Sequence, residues 1–140
     1  MCVFCEIVAR RAPAAIVLED EHTLAFVDLR QANPGHVLVI PKVHIPDVRH
    51  LDAEVGAALM HSVVRITRAV GVAFPNDGLS LWHSIGPAAF QEVPHLHIHV
   101  HPRLLSDGLL QVYPTLPENV DSDTLHLLAE RVKSALQALT

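Results

Sequence analysis

The sequence predicts an α+β domain: a five-stranded antiparallel sheet, one long central helix, a short N-terminal helix and a C-terminal helix. Three observations lead there. Short apolar segments recur at 15–19, 22–29, 36–40, 79–84 and 94–103, bounded by turn residues. A single amphipathic run spans 52–73. Most strand connections are too short for the crossovers that a parallel sheet requires. One face of the sheet is expected to pack on the long helix, leaving the other open for chemistry.

Each element has its own signal. Residues 2–10 read as a short helix with Val3, Phe4 and Ile7 on one side, ended at the latest by Pro13. Strands 15–19 and 22–29 flank a tight turn at Asp20-Glu21. Asn33-Pro34-Gly35 is a turn signal, and the third strand, His36 to Ile40, stops at Pro41. The long helix begins behind Asp52 as cap, with Glu54 in its first turn and Val55, Ala58, Leu59, Val63, Ile66 and Val70 at helical spacing. A loop at Pro75–Gly78 precedes strand 79–84, and Ile85–Val93 joins it to strand 94–103. Residues 104–120, with Pro114 and Pro117, read as irregular. The last helix covers about 121–139, with Leu125, Leu128, Val132, Leu136 and Leu139 inward.

With 140 residues, half of them hydrophobic, the chain suits one domain with a core that needs no staples. A net charge of −5 and the lack of any basic run argue against nucleic acid as a partner. No charged leader precedes an apolar stretch, and no uninterrupted apolar run reaches the roughly 18 residues of a membrane span. The expectation is a cytoplasmic protein with no membrane contact. Two cysteines, three apart, argue against a disulfide scaffold.

Eleven histidines dominate the composition, and four fall at alternate positions in His95-Leu96-His97-Ile98-His99-Val100-His101. In a strand they share one face, about 6.5–7 Å apart along the chain, with Leu96, Ile98 and Val100 on the core face. Such a face can be a solvated surface, a grip for a catalytic metal, or a site for nucleophilic chemistry at phosphorus. Neutral imidazole is a good nucleophile near pH 6.5, and its neighbours can hold phosphate oxygens and carry a proton to the leaving group.

The stretch from Gly86 to Arg103, in which Gln91 leads into the alternating histidines, resembles the signature of the histidine-triad (HIT) family, of the nucleoside phosphoramidase and bacterial branch. Leu24-Ala25-Phe26-Val27-Asp28 resembles the family's ribose-binding strand, Pro34 to His44 its next strand, and Val3 to Ile7 its opening helix. The resemblance covers about 2–103, within a single domain that continues as a C-terminal extension. It implies that His97 is the nucleophile, that His99 bonds phosphate and leaving-group oxygens, and that Gln91 positions the phosphate. It implies that Asp28 bonds the ribose, and that Phe4, Ile7, Phe26 and Leu29 line the base pocket. A lone carboxylate ending an apolar strand agrees with that role for Asp28, although it also suits a strand-end turn.

Three positions depart from the family pattern: Ser84 in place of Asn or Gln, Phe90 where Gly usually precedes Gln91, and His101 in place of an aliphatic residue. Phe90 is expected to narrow the phosphate loop or to forbid a backbone shape that Gly allows. Ser84, as a substrate-binding residue, would still donate one hydrogen bond.

Cys2-x-x-Cys5 alone reads as two packed small residues or as half a metal site. The resemblance adds His44 and His95 as partners, which would close a structural zinc site and leave His97 and His99 free. It further implies a homodimer and a purine nucleotide substrate carrying an AMP or GMP moiety. The implied activity is cleavage at the α-phosphate of a phosphoramidate, aminoacyl adenylate or dinucleoside polyphosphate. The rival readings are a nucleotide-binding regulator with little turnover, and a metal hydrolase using His97, His99 and His101.

Overall fold

The Asp52 carboxylate accepts a hydrogen bond from Val55 N at 2.8 Å and so starts the long helix, satisfying a backbone donor that the first turn would leave unpaired. In the computed structural model, which describes residues 1–140, eight regular elements follow in order. They are α1 (Val3–Val8), β1 (Ile16–Glu19), β2 (Thr23–Val27), β3 (Val37–Pro41), α2 (Ala53–Ala73), β4 (Gly78–Trp82), β5 (Ile98–Arg103) and α3 (Ser122–Ala138). Single 3₁₀ turns at Val48–His50 and Pro87–Ala89 are additional to the sequence-based elements; their short spans carry no periodicity to read.

The five strands form one antiparallel sheet in the order β1-β2-β3-β5-β4. Alternation decides what each face of β2 and β3 does. Ala25, Val37 and Val39 point to α2, where they bury with Leu59, Val63, Ile66, Val70, Leu96 and Val100. Leu24, Phe26, Leu38 and Ile40 point the other way and bury with Phe4 and Ile7 of α1. The second face is therefore not open throughout: α1 covers its β2–β3 half. At about 25 cal/mol per Å² of apolar surface, a large buried side chain such as Leu59 contributes roughly 2 kcal/mol. Helix α2 has the length and apolar character of a membrane-crossing helix. One of its faces is buried on the sheet, and Arg65 and Arg68 lie exposed on it.

The connections have local causes. Asp20 Oδ1 accepts from His22 N and Thr23 N at 2.9 and 2.7 Å, which folds the β1–β2 turn. Gly35 sits at φ +112°, and a Cβ there would stand 2.5 Å from the Phe74 ring, so only glycine serves.

Two expectations need correction. β5 begins at Ile98 rather than Pro94, because the preceding backbone is bonded elsewhere: Leu96 N donates to Ile45 O at 2.7 Å. The other concerns α3, which lies in the second of two units, 1–107 and 108–140. Taken by itself, the second unit has one helix and no second apolar layer. Leu125, Leu128, Val132, Leu136 and Leu139 are accordingly exposed rather than inward.

Candidate active site and metal-ligating clusters

His97 is 6% exposed, and its Nδ1 donates to the carbonyl oxygen of His95 at 2.7 Å. A carbonyl can only accept, so the proton is on Nδ1 and the lone pair is on Nε2. Burial pushes the proton affinity of His97 down, and nearby His83 does so further, which keeps the ring neutral and nucleophilic near pH 7. Phe4 braces the ring edge-on at 5.2 Å between centroids.

His99 stands beside it, with ring centroids 4.9 Å apart. Burial, reinforced by the imidazoles of His97, His36 and His101, lowers its pKa to about 3. His99 Nδ1 is hydrogen-bonded to His36 Nε2 at 2.8 Å, and the Asp28 Oδ2 atom lies 3.7 Å from the same His36 nitrogen. The three side chains thus form a chain of groups ending next to His97. Trp82 covers the other side of His99.

His36 had no role on sequence grounds. The signal was available in the alternation of β3: residue 36 precedes the strand on the same face as Leu38 and Ile40, the face on which Leu38 pairs with His99. His83 was also unassigned. Its Nδ1 donates to His97 O at 3.2 Å, and its Nε2 accepts from Val48 N at 3.3 Å, so it holds the backbone of His97. No local motif marks it. His101 is buried, its Nδ1 donating to Pro102 O at 2.8 Å and its ring 4.5 Å from that of His36.

The β4–β5 loop reaches the same end of the sheet. Gln91 Oε1 accepts from Gly86 N at 2.9 Å while its Nε2 donates to Pro46 O at 3.0 Å, pinning the loop from both ends of one amide. Phe90 adopts the left-handed conformation at φ +61° that glycine would favour, and its side chain is 87% exposed. The backbone shape is therefore kept, and the ring points outward rather than narrowing the loop. Ser84 is half-buried where the loop leaves β4. Phe4, Ile7 and Phe26 share one buried cluster, whereas Leu29, at 98% exposure, stands outside it. An open cavity of about 220 Å³ beside Ser80 and Arg103 includes none of these residues.

Two groups each bring their ligating atoms within 4.8 Å of one another: Cys2, Cys5, His44 and His95 form one, and Asp28, His36 and His99 the other. His97 and His101 belong to neither. In the first group the Sγ–Nδ1 separations are 3.4 Å for Cys2–His95, 3.3 Å for Cys5–His44 and 3.6 Å for Cys5–His95, and the two Nδ1 atoms are 3.3 Å apart. A tetrahedral ion with Zn–S and Zn–N bonds of about 2.3 and 2.0–2.1 Å puts its ligand atoms roughly 3.3–3.8 Å apart, so the four residues suit zinc. His95 Nε2 donates to Pro41 O at 2.8 Å, which leaves its Nδ1 lone pair facing the sulfurs.

Comparison with known proteins shows the family and the fold. The family model for the HIT domain matches residues 9–104. A crystal structure of a HIT-family protein from Bacillus subtilis superposes with a TM-score of 0.88 at 37% identity, covering 95% of both chains. A histidine triad nucleotide-binding protein from Candida albicans superposes with a TM-score of 0.87 at 26% identity over the full length of both. Adenylylsulfatase HINT3 of Arabidopsis thaliana is 36% identical over 108 residues, which are 77% of this chain and 55% of that protein.

Proposed function

This chain belongs to the HIT-domain family, and from that premise we propose that it is a hydrolase or transferase acting at the α-phosphate of a purine nucleoside monophosphate derivative. The observation that carries the reading is the state of His97: buried, neutral, with Nδ1 tied to the His95 carbonyl and Nε2 left as a lone pair. In the first step Nε2 attacks phosphorus. The N–P bond forms as the bond from phosphorus to the nitrogen or oxygen of the leaving group breaks, and the leaving group takes a proton. In the second step water attacks, the N–P bond breaks, and the nucleoside monophosphate departs with His97 regenerated. His99 bonds the phosphate and leaving-group oxygens, and its contact with His36 gives the proton a route. Asp28, at the end of β2, bonds the ribose hydroxyls, and the cluster of Phe4, Ile7 and Phe26 supports the base.

One zinc ion held by Cys2, Cys5, His44 and His95 would tie α1 to the sheet and leave His97 and His99 to the chemistry. A homodimer through α2 and a neighbouring strand, which the family resemblance implies, would cover Met60 and Val64, exposed on α2. The test of the activity is His97→Ala. Turnover of adenosine phosphoramidates and dinucleoside polyphosphates should be abolished while AMP binding stays within about tenfold, because the lost interaction acts mainly in the transition state. Turnover within a few-fold of wild type would refute covalent catalysis at this residue.

A further inference from the structure

We propose that Asp28, His36 and His99 form a second metal site, which takes a divalent transition ion of the zinc class and blocks the nucleotide site while occupied. The donor set is two imidazoles and one carboxylate, the mixture that zinc and its first-row neighbours accept. His36 Nε2 lies 2.8 Å from His99 Nδ1 and 3.7 Å from Asp28 Oδ2. Ligand atoms bound at about 2.0–2.2 Å to one ion stand roughly 2.9–3.5 Å apart, close to these two separations, and all three ligand atoms lie within 4.8 Å of one another.

The surroundings hold these ligands in place. The Arg30 N–H donates to Asp28 Oδ1 at 2.8 Å, which fixes the carboxylate. The His36 ring is buried and lies stacked on His99, with ring centroids 5.1 Å apart. The third ligand, His99, is fixed by the flat face of Trp82. None of the three belongs to the Cys2–Cys5–His44–His95 group, so both sites can fill together.

An ion here replaces the hydrogen bond between His36 and His99. It also engages the carboxylate meant for the ribose and the imidazole meant for the phosphate. The blocking effect rests on the nucleotide reading above; the ion site does not.

Cobalt(II) titration of the full chain, followed by visible absorption, tests both parts. Sulfur-to-cobalt charge transfer marks the cysteine site, and bands without it mark the site proposed here. Wild type should bind one more ion per chain than His36→Gln and than Asp28→Asn, and the difference should lie in the bands that lack the sulfur transition. AMP at about ten times its dissociation constant should weaken that ion's apparent affinity by about tenfold. Equal cobalt uptake in wild type and both variants would show an adventitious ion only and overturn the site. An ion indifferent to bound AMP would overturn the blocking role. AMP failing to bind protein whose cysteine site is filled and whose second site is empty, with the ion still lost in both variants, would sink the nucleotide reading and leave the ion site standing.

Discussion

Trp82 lies flat on His99, with ring centroids 4.3 Å apart and planes 6° apart. Strand register produces the contact, because the two residues are directly paired across β4 and β5. Trp82 is the only tryptophan in the chain, so its fluorescence reports on His99. Saturable binding of AMP should change that emission. Trp82→Leu should reduce kcat by about tenfold or more through a less well-placed His99. An emission insensitive to AMP would contradict the placement of the phosphate beside His99.

The ribose contact predicts a chemical preference. Asp28→Ala should weaken nucleotide binding by about 1.5–3 kcal/mol, the range for hydrogen bonds to a charged partner. It should also erase discrimination between AMP and its 2′-deoxy form. Calorimetry with both ligands checks this, and a preference that survives the substitution would refute the role given to Asp28.

The cysteine site predicts a pattern of metal content. After dialysis against a weak chelator that empties the Asp28–His36–His99 site, wild type and His99→Ala should each keep about one zinc per chain, and Cys5→Ser should keep none. Loss of the ion should lower the thermal midpoint, since forming the site is coupled to folding. Elemental analysis beside melting curves decides it. Zinc lost in His99→Ala but kept in Cys5→Ser would contradict a structural role.

Much of this was legible because the relevant signals are periodic. Alternation put Leu96 and Val100 in the core and the histidines opposite, and the apolar spacing of α2 matched its buried face. The start of β5 was misread because alternation continues through 95–97, where backbone hydrogen bonds to Ile45 and side-chain bonds to Pro41 replace the strand ladder. His36 and His83 went unassigned because their partners lie 63 and 14 residues away. Phe90 was expected to crowd the loop, whereas its left-handed backbone turns the ring to solvent. A stripe of leucines on α3 cannot reveal from sequence alone that its own unit offers no apolar layer to cover it.

Asp47 gives a pH dependence. It caps the turn at Val48–His50, accepting from Arg49 N at 3.0 Å and from the Arg49 guanidinium at 2.9 and 2.8 Å. Its neighbours Pro46 and Val48 hold Gln91 and His83. The Arg49 guanidinium keeps this carboxyl well below the usual carboxylate range. A group depressed in the folded state stabilises above its unfolded value, about 3.9, and loses that contribution as pH falls towards the folded value. Asp47→Asn should therefore lower Tm at pH 7, with the difference from wild type narrowing below about pH 4. A difference of equal size at pH 7 and pH 3 would contradict the assignment.

The central claim is that His97 carries the nucleotide between two chemical steps. Rapid mixing with an adenosine phosphoramidate, acid quench and intact-mass spectrometry tests it most directly. Wild type should show a transient acid-labile increase equal to one adenylyl group, mapped by peptide analysis to His97 and absent in His97→Ala. Turnover by wild type with no adduct at any time point, or with the adduct on another residue, would contradict the account.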